Sequence, residues 1–189
     1  MIRLSRPDER TVREALARAA KSDLTYRSPG MTRNPPAPGW PVNRIRASLG
    51  TGPGIWERAT AALRRWEQYR TRWTTLTPPA PPLEPGATFA VVARHHGLWS
   101  VNCCRVVYAP SEAEAAGVYA CAIGTLGVHS ESGEERFAVE QDADGTVWFE
   151  LLAYARARHP LARLAPPIVT RVQRRFAQDA AAAMRRAVA

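Results

Sequence analysis

Lysine is almost missing from this chain: Lys21 stands alone, and arginine supplies the rest of its 26 basic residues. A net charge of +9 would ordinarily point to nucleic acid or an anionic membrane surface. Arginine with 16 prolines in an alanine-rich background instead matches codon drift in a GC-rich genome, which argues against a nucleic-acid partner. Cysteine is scarce as well. Cys103 and Cys104 are adjacent and so point to opposite faces of a strand, and Cys121 sits in another apolar run. An odd, apolar set without Cys-x-x-Cys spacing or a nearby His pair excludes a disulfide framework and a zinc site, leaving three small buried hydrophobes. Long hydrophobic runs are also lacking. The apolar stretch 117–126 falls far short of the ~20 residues of a bilayer span, and the first residues have no apolar core or small-residue cleavage site. The expectation is a cytoplasmic protein with no transmembrane segment.

At 189 residues and 46% hydrophobic, the chain suits one domain. Ser5 can cap a helix opening with Pro7, Asp8 and Glu9, on which Val12, Leu16 and Ala19 form a stripe. An irregular crossing follows to residue 40. Residues 42–49 alternate as a strand with Asn43, Ile45, Ala47 and Leu49 facing in. A glycine-rich turn over 50–54 leads to a second helix near 55–70, with Trp56, Ala59, Leu63 and Trp66 on one side. That turn lacks the lysine and spacing of a nucleotide loop, and Pro53 removes a donor. The proline-rich 78–85 is a loop.

From there β-branched and aromatic runs alternate with turns, which predicts antiparallel strands over 87–95, 98–108, 117–125, 135–141 and 146–154. The intervening loops fall at 96–97, 110–116, 127–133 and 142–145. Pro160 starts a helical tail, restarted or kinked at Pro166 and Pro167, on which Ile168, Val172, Phe176, Ala180 and Met184 recur every four residues. A long helix with one apolar face needs a sheet, and a twisted sheet with one apolar face needs a cover. The expected fold is therefore a single α+β domain over 1–189: residues 1–40 as helix and crossing, 41–157 as curved antiparallel sheet, and 158–189 as C-terminal helix.

Strand phase singles out ionisable groups on apolar faces. Phe89, Val91 and Ala93 carry His95 inward, Phe137 and Val139 carry Glu135, and Arg105 joins through Val101, Cys103 and Val107, although the opposite face of that strand is equally apolar. Inward charges cost several kcal/mol unless paired with one another, water or a ligand. The opposing reading puts these groups at strand ends already open to water. The segment 127–134 concentrates further polar chemistry at His129 and Glu131. Neither His129 with Glu131 nor the adjacent His95 and His96 supplies a third metal ligand, and neither Ser130 nor Ser132 lies in a nucleophile elbow, so no metal or cofactor is called for.

Gly124-Thr125-Leu126, His129 and Glu131-Ser132-Gly133-Glu134-Glu135-Arg136-Phe137 together resemble the signature of uncharacterised protein family 0548, a domain of unknown function of bacteria and plants. Leu24-Thr25-Tyr26 with Gly30 and Thr32, Arg105-Val106-Val107-Tyr108, Arg158 to Leu164 and Gln173-Arg174-Arg175-Phe176 extend the match along nearly the whole chain. Gly127-Val128 departs from the Pro-Gly expected before His129. The family looks related to the helix-grip superfamily of birch-pollen-allergen, lipid-transfer and polyketide-cyclase-like domains. That resemblance implies a cavity between the sheet and the long helix, suited to a hydrophobic or amphipathic small molecule.

Within the matching stretches Tyr108, Thr125, Glu131, Glu134 and Arg136 join His95, Arg105, His129 and Glu135 as candidate ligand contacts. Three functions compete. The first is a binding module for a hydrophobic metabolite. The second is an acid/base cyclase, isomerase or hydrolase using His95 or His129 with Glu135. The third is an arginine surface of Arg171, Arg174, Arg175, Arg185 and Arg186 that meets nucleic acid or anionic lipid.

Overall fold

The structure is a computed structural model that describes residues 1–36, 38–110 and 116–189. Eight strands form one antiparallel sheet: β1 (Ile2–Arg3), β2 (Val42–Thr51), β3 (Thr74–Thr77), β4 (Thr88–His95), β5 (Leu98–Tyr108), β6 (Val118–Thr125), β7 (Glu131–Gln141) and β8 (Thr146–Ala157). Their order is β2-β8-β7-β6-β5-β4-β3. The first strand, α1 (Glu9–Ala20) and the crossing to residue 40 precede β2, and α2 (Ile55–Arg64) lies between β2 and β3. The chain ends in α3 (Pro160–Leu164) and α4 (Pro166–Val188).

The sheet curls into a half-barrel around α4, the α+β helix-grip arrangement expected from the sequence. Two register shifts, between Ser48 and Gly50 in β2 and between Val106 and Tyr108 in β5, supply local twist and bend. Because β6 pairs only with the second half of β5, the first half offers a free edge, and β1 occupies it by pairing Ile2 with Ser100 and Arg3 with Trp99. No periodic signal marks so short a strand.

Two apolar cores lie on opposite sides of the sheet. On the concave side Phe89, Cys104, Cys121, Phe137, Phe149 and Leu151 pack with α2 and α4. On the convex side Val12, Ala15 and Ala19 of α1 cover Ala90, Val92, Val101, Cys103 and Leu126. Cys103 and Cys104 thus fall on opposite faces, and all three cysteines are free and buried. The alanines of α4 explain how closely it sits. Ala177, Ala180 and Ala181 let the second half of the helix settle into the concave core beside Met184, whereas its first half, with Ile168, Val172 and Phe176, stands over open space.

Several local expectations give way. The cap of α1 is Asp8, whose carboxylate accepts the Thr11 N–H at 2.7 Å; Ser5 is too early by three residues. The second helix stops at Arg64, and Trp66 takes a left-handed conformation (φ 60°) before a 3-10 turn over Glu67–Tyr69. Thr74–Thr77 forms an unexpected edge strand, since a four-residue stretch with only Leu76 buried carries too little alternation to be read. The polar loop expected over 127–133 is shorter, because β7 begins at Glu131 and pairs it with Ala157. Gly133 makes this possible: a Cβ there would lie 1.9 Å from the Tyr154 carbonyl oxygen. Most of the loop expected at 110–116 lies outside the described residues.

Candidate functional site

The first half of α4 and the short α3 arch over the concave sheet and leave a cavity of about 390 Å³. Its walls are mostly apolar: Val91 and Ala93 of β4, Ile123 of β6, Ala153 and Ala155 of β8, and Val169, Val172 and Phe176 of α4. Leu161 and Ile168, which are 55% and 47% exposed, also line it, so apolar side chains stand at the boundary between cavity and solvent. Tyr69 contributes from the 3-10 turn, with its ring 5.2 Å from Phe176 and 5.6 Å from Phe137.

Polar groups enter from β5, β7 and α4. In β7 the alternation that turns Phe137 and Val139 inward also brings Glu131 and Glu135 to the concave face. Glu131 accepts the Gln173 amide at 2.6 Å, a bridge from sheet to helix. Burial in apolar surroundings pushes its carboxyl up to about 7, partly offset by that hydrogen bond. Glu135 lies between Ile123 and Ala153 on the neighbouring strands. Burial first, and the nearby Glu131 charge second, push it up to about 8. The cavity therefore holds carboxyl groups that protonate near neutral pH.

The histidines are placed differently. His95 closes β4 at the cavity rim, edge-on to Trp73 at 6.4 Å, and burial with the neighbouring His96 and Arg175 lowers its pKa. His129 lines the cavity with Nδ1 accepting the Glu131 N–H at 3.0 Å, and burial drives its pKa down to about 3. Both imidazoles are neutral at neutral pH, and among the described residues no hydrogen bond joins either to Glu135. The acid/base pair that the strand phase suggested is not assembled by a direct contact.

Arg105, Arg136 and Tyr108 belong to the other face, and Glu134, although it and Thr125 are among the residues bordering the cavity, gives its carboxylate to the crossing on that face. Arg105 donates to the carbonyls of Ala20 and Ser22 at 2.8 and 3.0 Å, tying down the end of α1; of two equally apolar faces of β5, Cys104 and Asn102 mark the inner one. Arg136 pairs with Glu150 at 2.6 Å and Glu140 at 3.0 Å. Tyr108 shares a hydroxyl contact with Thr32 at 2.9 Å. Glu134, 1% exposed, accepts from Tyr26 Oη (2.6 Å), the N–H groups of Gly30 (2.8 Å) and Thr32 (3.0 Å), and Thr32 Oγ1 (2.6 Å). Its carboxylate is spoken for by the crossing that follows α1. Thr125 serves the same strap: its Oγ1 meets Thr25 Oγ1 at 2.5 Å and accepts the Gly133 N–H at 2.9 Å. A Cβ on Gly124 would lie 2.5 Å from Tyr26 Oη and 2.6 Å from Leu24, so glycine lets the strap lie flat. Much of the signature thus builds the fastening of the crossing, while its alternate residues face the cavity.

Sequence reasoning missed Tyr69, Asn102 and Gln173. Asn102 holds the loop before β7 by accepting from Ser130 N–H and Oγ at 3.1 and 3.0 Å. Its signal was a polar side chain in an otherwise apolar strand, and Gln173 interrupts the apolar arc of α4 in the same way. Tyr69 follows a left-handed residue and has no periodic neighbour. Of the expected arginine surface, Arg175 pairs with Asp179 at 3.5 Å and stacks on Trp73, and Arg185 donates to the Ser48 carbonyl. Among the described residues no three His, Cys, Asp or Glu side chains gather as metal ligands, and no helix is long and apolar enough to cross a membrane.

A family profile described as "Domain of unknown function (DUF1990)" matches residues 25–183. A UPF0548 protein of Deinococcus radiodurans is 35% identical over 99% of this chain and 98% of its own length. A UPF0548 protein of Arabidopsis thaliana is 29% identical over 77% of this chain and 72% of its own. Among solved structures, TTHA0849 of Thermus thermophilus superposes with a TM-score of 0.55 at 11% identity, covering 78% of this chain and 97% of its own. Human STARD10 does so with a TM-score of 0.50 at 11% identity, over 98% of this chain and 83% of its own. At such identities the likeness is one of fold.

Proposed function

The chain belongs to the DUF1990 family of UPF0548 proteins, and on that footing we propose that it binds a small hydrophobic or amphipathic molecule in the cavity beneath α4. The observation that carries this reading is the cavity itself: about 390 Å³, walled mostly by aliphatic and aromatic side chains, with a few polar groups converging from β5, β7 and α4. Interiors of folded proteins are ordinarily filled to crystal-like density. A space of this size falls within the range of small-molecule sites. The alanine-rich half of α4 packs closely while the Val172 and Phe176 half does not, so the space follows from the helix sequence.

Binding is favoured over acid/base turnover by the placement of the histidines. His129 Nδ1 is occupied by a backbone N–H, and neither imidazole is hydrogen-bonded to Glu135. The arginine surface is supported less, since Arg175 and Arg185 already have partners within the chain.

Native mass spectrometry of gently purified protein, followed by solvent extraction, tests the proposal. A bound small molecule that is lost from an Ala155→Phe variant, whose ring would enter the cavity, is the expected result. Protein of bare mass that also fails to take up any apolar compound from cell extract would contradict it.

A further inference from the structure

Although the protein carries a net charge of +9, no lysine or arginine is among the described residues lining the cavity. Its ionisable groups are Glu131, Glu134, Glu135, Tyr69, Cys104 and the imidazoles of His95, His96 and His129, of which Glu134 is already held by Tyr26, Gly30 and Thr32. Glu131 has Gln173 as a partner. Glu135 has no hydrogen-bond partner among the described residues, and its cross-strand neighbours Ile123 and Ala153 offer none. The hydroxyl of Tyr69 has none either, although this side chain is only 5% exposed and lines the cavity. Buried polar groups are almost always paired, so an unpartnered carboxyl and an unpartnered phenol that open onto one apolar space indicate what the space lacks.

Both groups can accept, and a carboxylate is complemented by a positive charge or a strong donor. The arginine nearest in sequence, Arg136, points to the convex face and is held by Glu140 and Glu150. The groups that face Glu135 are Glu131 on its own strand, Tyr69 from the 3-10 turn and the thiols of Cys104 in β5 and Cys121 in β6, whereas the cations Arg175 and Arg158 act at the histidines, on His95 and His129. A carboxylate or phosphate placed beside Glu135 would meet like charge, with Arg175 and Arg158 already engaged by Asp179 and the Gly127 carbonyl.

Resting on the binding reading above, we infer that the cavity selects an apolar amine, its ammonium group held by Glu135 and the Tyr69 hydroxyl and its apolar body against Val172, Phe176 and Ile123. In the empty protein Glu135 is largely protonated near neutral pH, as its burial dictates. Docking an ammonium therefore ionises Glu135, and the carboxyl proton leaves to solvent.

Isothermal titration of decylamine, decanol and decanoate, each below its aggregation concentration, tests the inference because the three share one apolar body. Decylamine is expected to bind about tenfold more tightly than decanol, with decanoate weakest, as a charge-assisted hydrogen bond implies. Glu135→Gln should weaken decylamine by about tenfold and Tyr69→Phe by a few-fold, and in each variant decylamine should lose more than decanol does. Decanol binding that persists in each variant shows that the cavity is kept. Near neutral pH the amine should also release a proton, read as heats that differ between phosphate and Tris buffers. Decylamine no tighter than decanol or decanoate, or an amine affinity untouched by Glu135→Gln, overturns the choice of ligand while leaving the cavity a binding site. Failure of all three probes to bind overturns both readings.

Discussion

Replacing Glu135 with Gln should change how stability depends on pH, and the change has a definite sign. In the folded protein the carboxyl is raised from 4.5 to about 8, so between those values the folded chain holds a proton that the unfolded chain has released. Stability contributed by this group is complete below 4.5 and is lost as pH rises through about 8. The interval from 4.5 to about 8, at about 1.4 kcal/mol per pH unit, sets a ceiling of about 5 kcal/mol. Water entering a partly open cavity raises the local dielectric and reduces this to about 2 kcal/mol. Glutamine does not titrate, so Glu135→Gln should gain about 2 kcal/mol on the parent protein as pH goes from about 5 to about 9. Glu131 and His129 titrate in both proteins and largely cancel from the difference. Urea unfolding followed by circular dichroism at a series of pH values measures it. Parallel stability curves for the two proteins would show that Glu135 is not in an apolar cavity and would refute the reasoning.

Glu134→Ala leaves the donors of Tyr26, Gly30 and Thr32 without their acceptor and should cost about 3 kcal/mol in denaturant unfolding, with faster amide exchange in residues 25–34. Gly124→Ala drives a methyl group into Tyr26 and Leu24, and a loss of at least about 2 kcal/mol is expected from the same assay, whereas an unchanged midpoint would mean the strap does not lie as described. Gln68 is fully buried with neither amide atom hydrogen-bonded, so Gln68→Met should leave stability unchanged or raise it by about 1 kcal/mol; a marked loss would reveal a partner such as an ordered water. Glu131→Ala removes the bridge to Gln173 and should speed amide exchange in the first half of α4 more than in its alanine-rich second half.

The sheet was legible because alternation survives in long strands: β2, β4 and β8 present the faces that their apolar residues predict. The cover was legible because α4 repeats an apolar residue every four positions. What escaped was set by contacts distant in sequence. Arg105 could not be phased, since β5 is apolar on both sides, one face being covered by α1 and the other lining the cavity. Glu134 and Glu135 are adjacent carboxylates that read alike in sequence. Only the strap brings donors to the first, and only the stand-off of α4 leaves the second without any. Tyr69 reached the cavity through a left-handed turn at Trp66 that no periodicity records.

The central claim, an accessible apolar cavity beneath α4, is tested most directly by titrating the protein with a neutral dye such as N-phenylnaphthylamine, beside Ala155→Phe. Saturable fluorescence enhancement at one site in the parent protein, lost in a variant with unchanged thermal unfolding, is the predicted result. Equal enhancement in both proteins, or none in the parent, would contradict it.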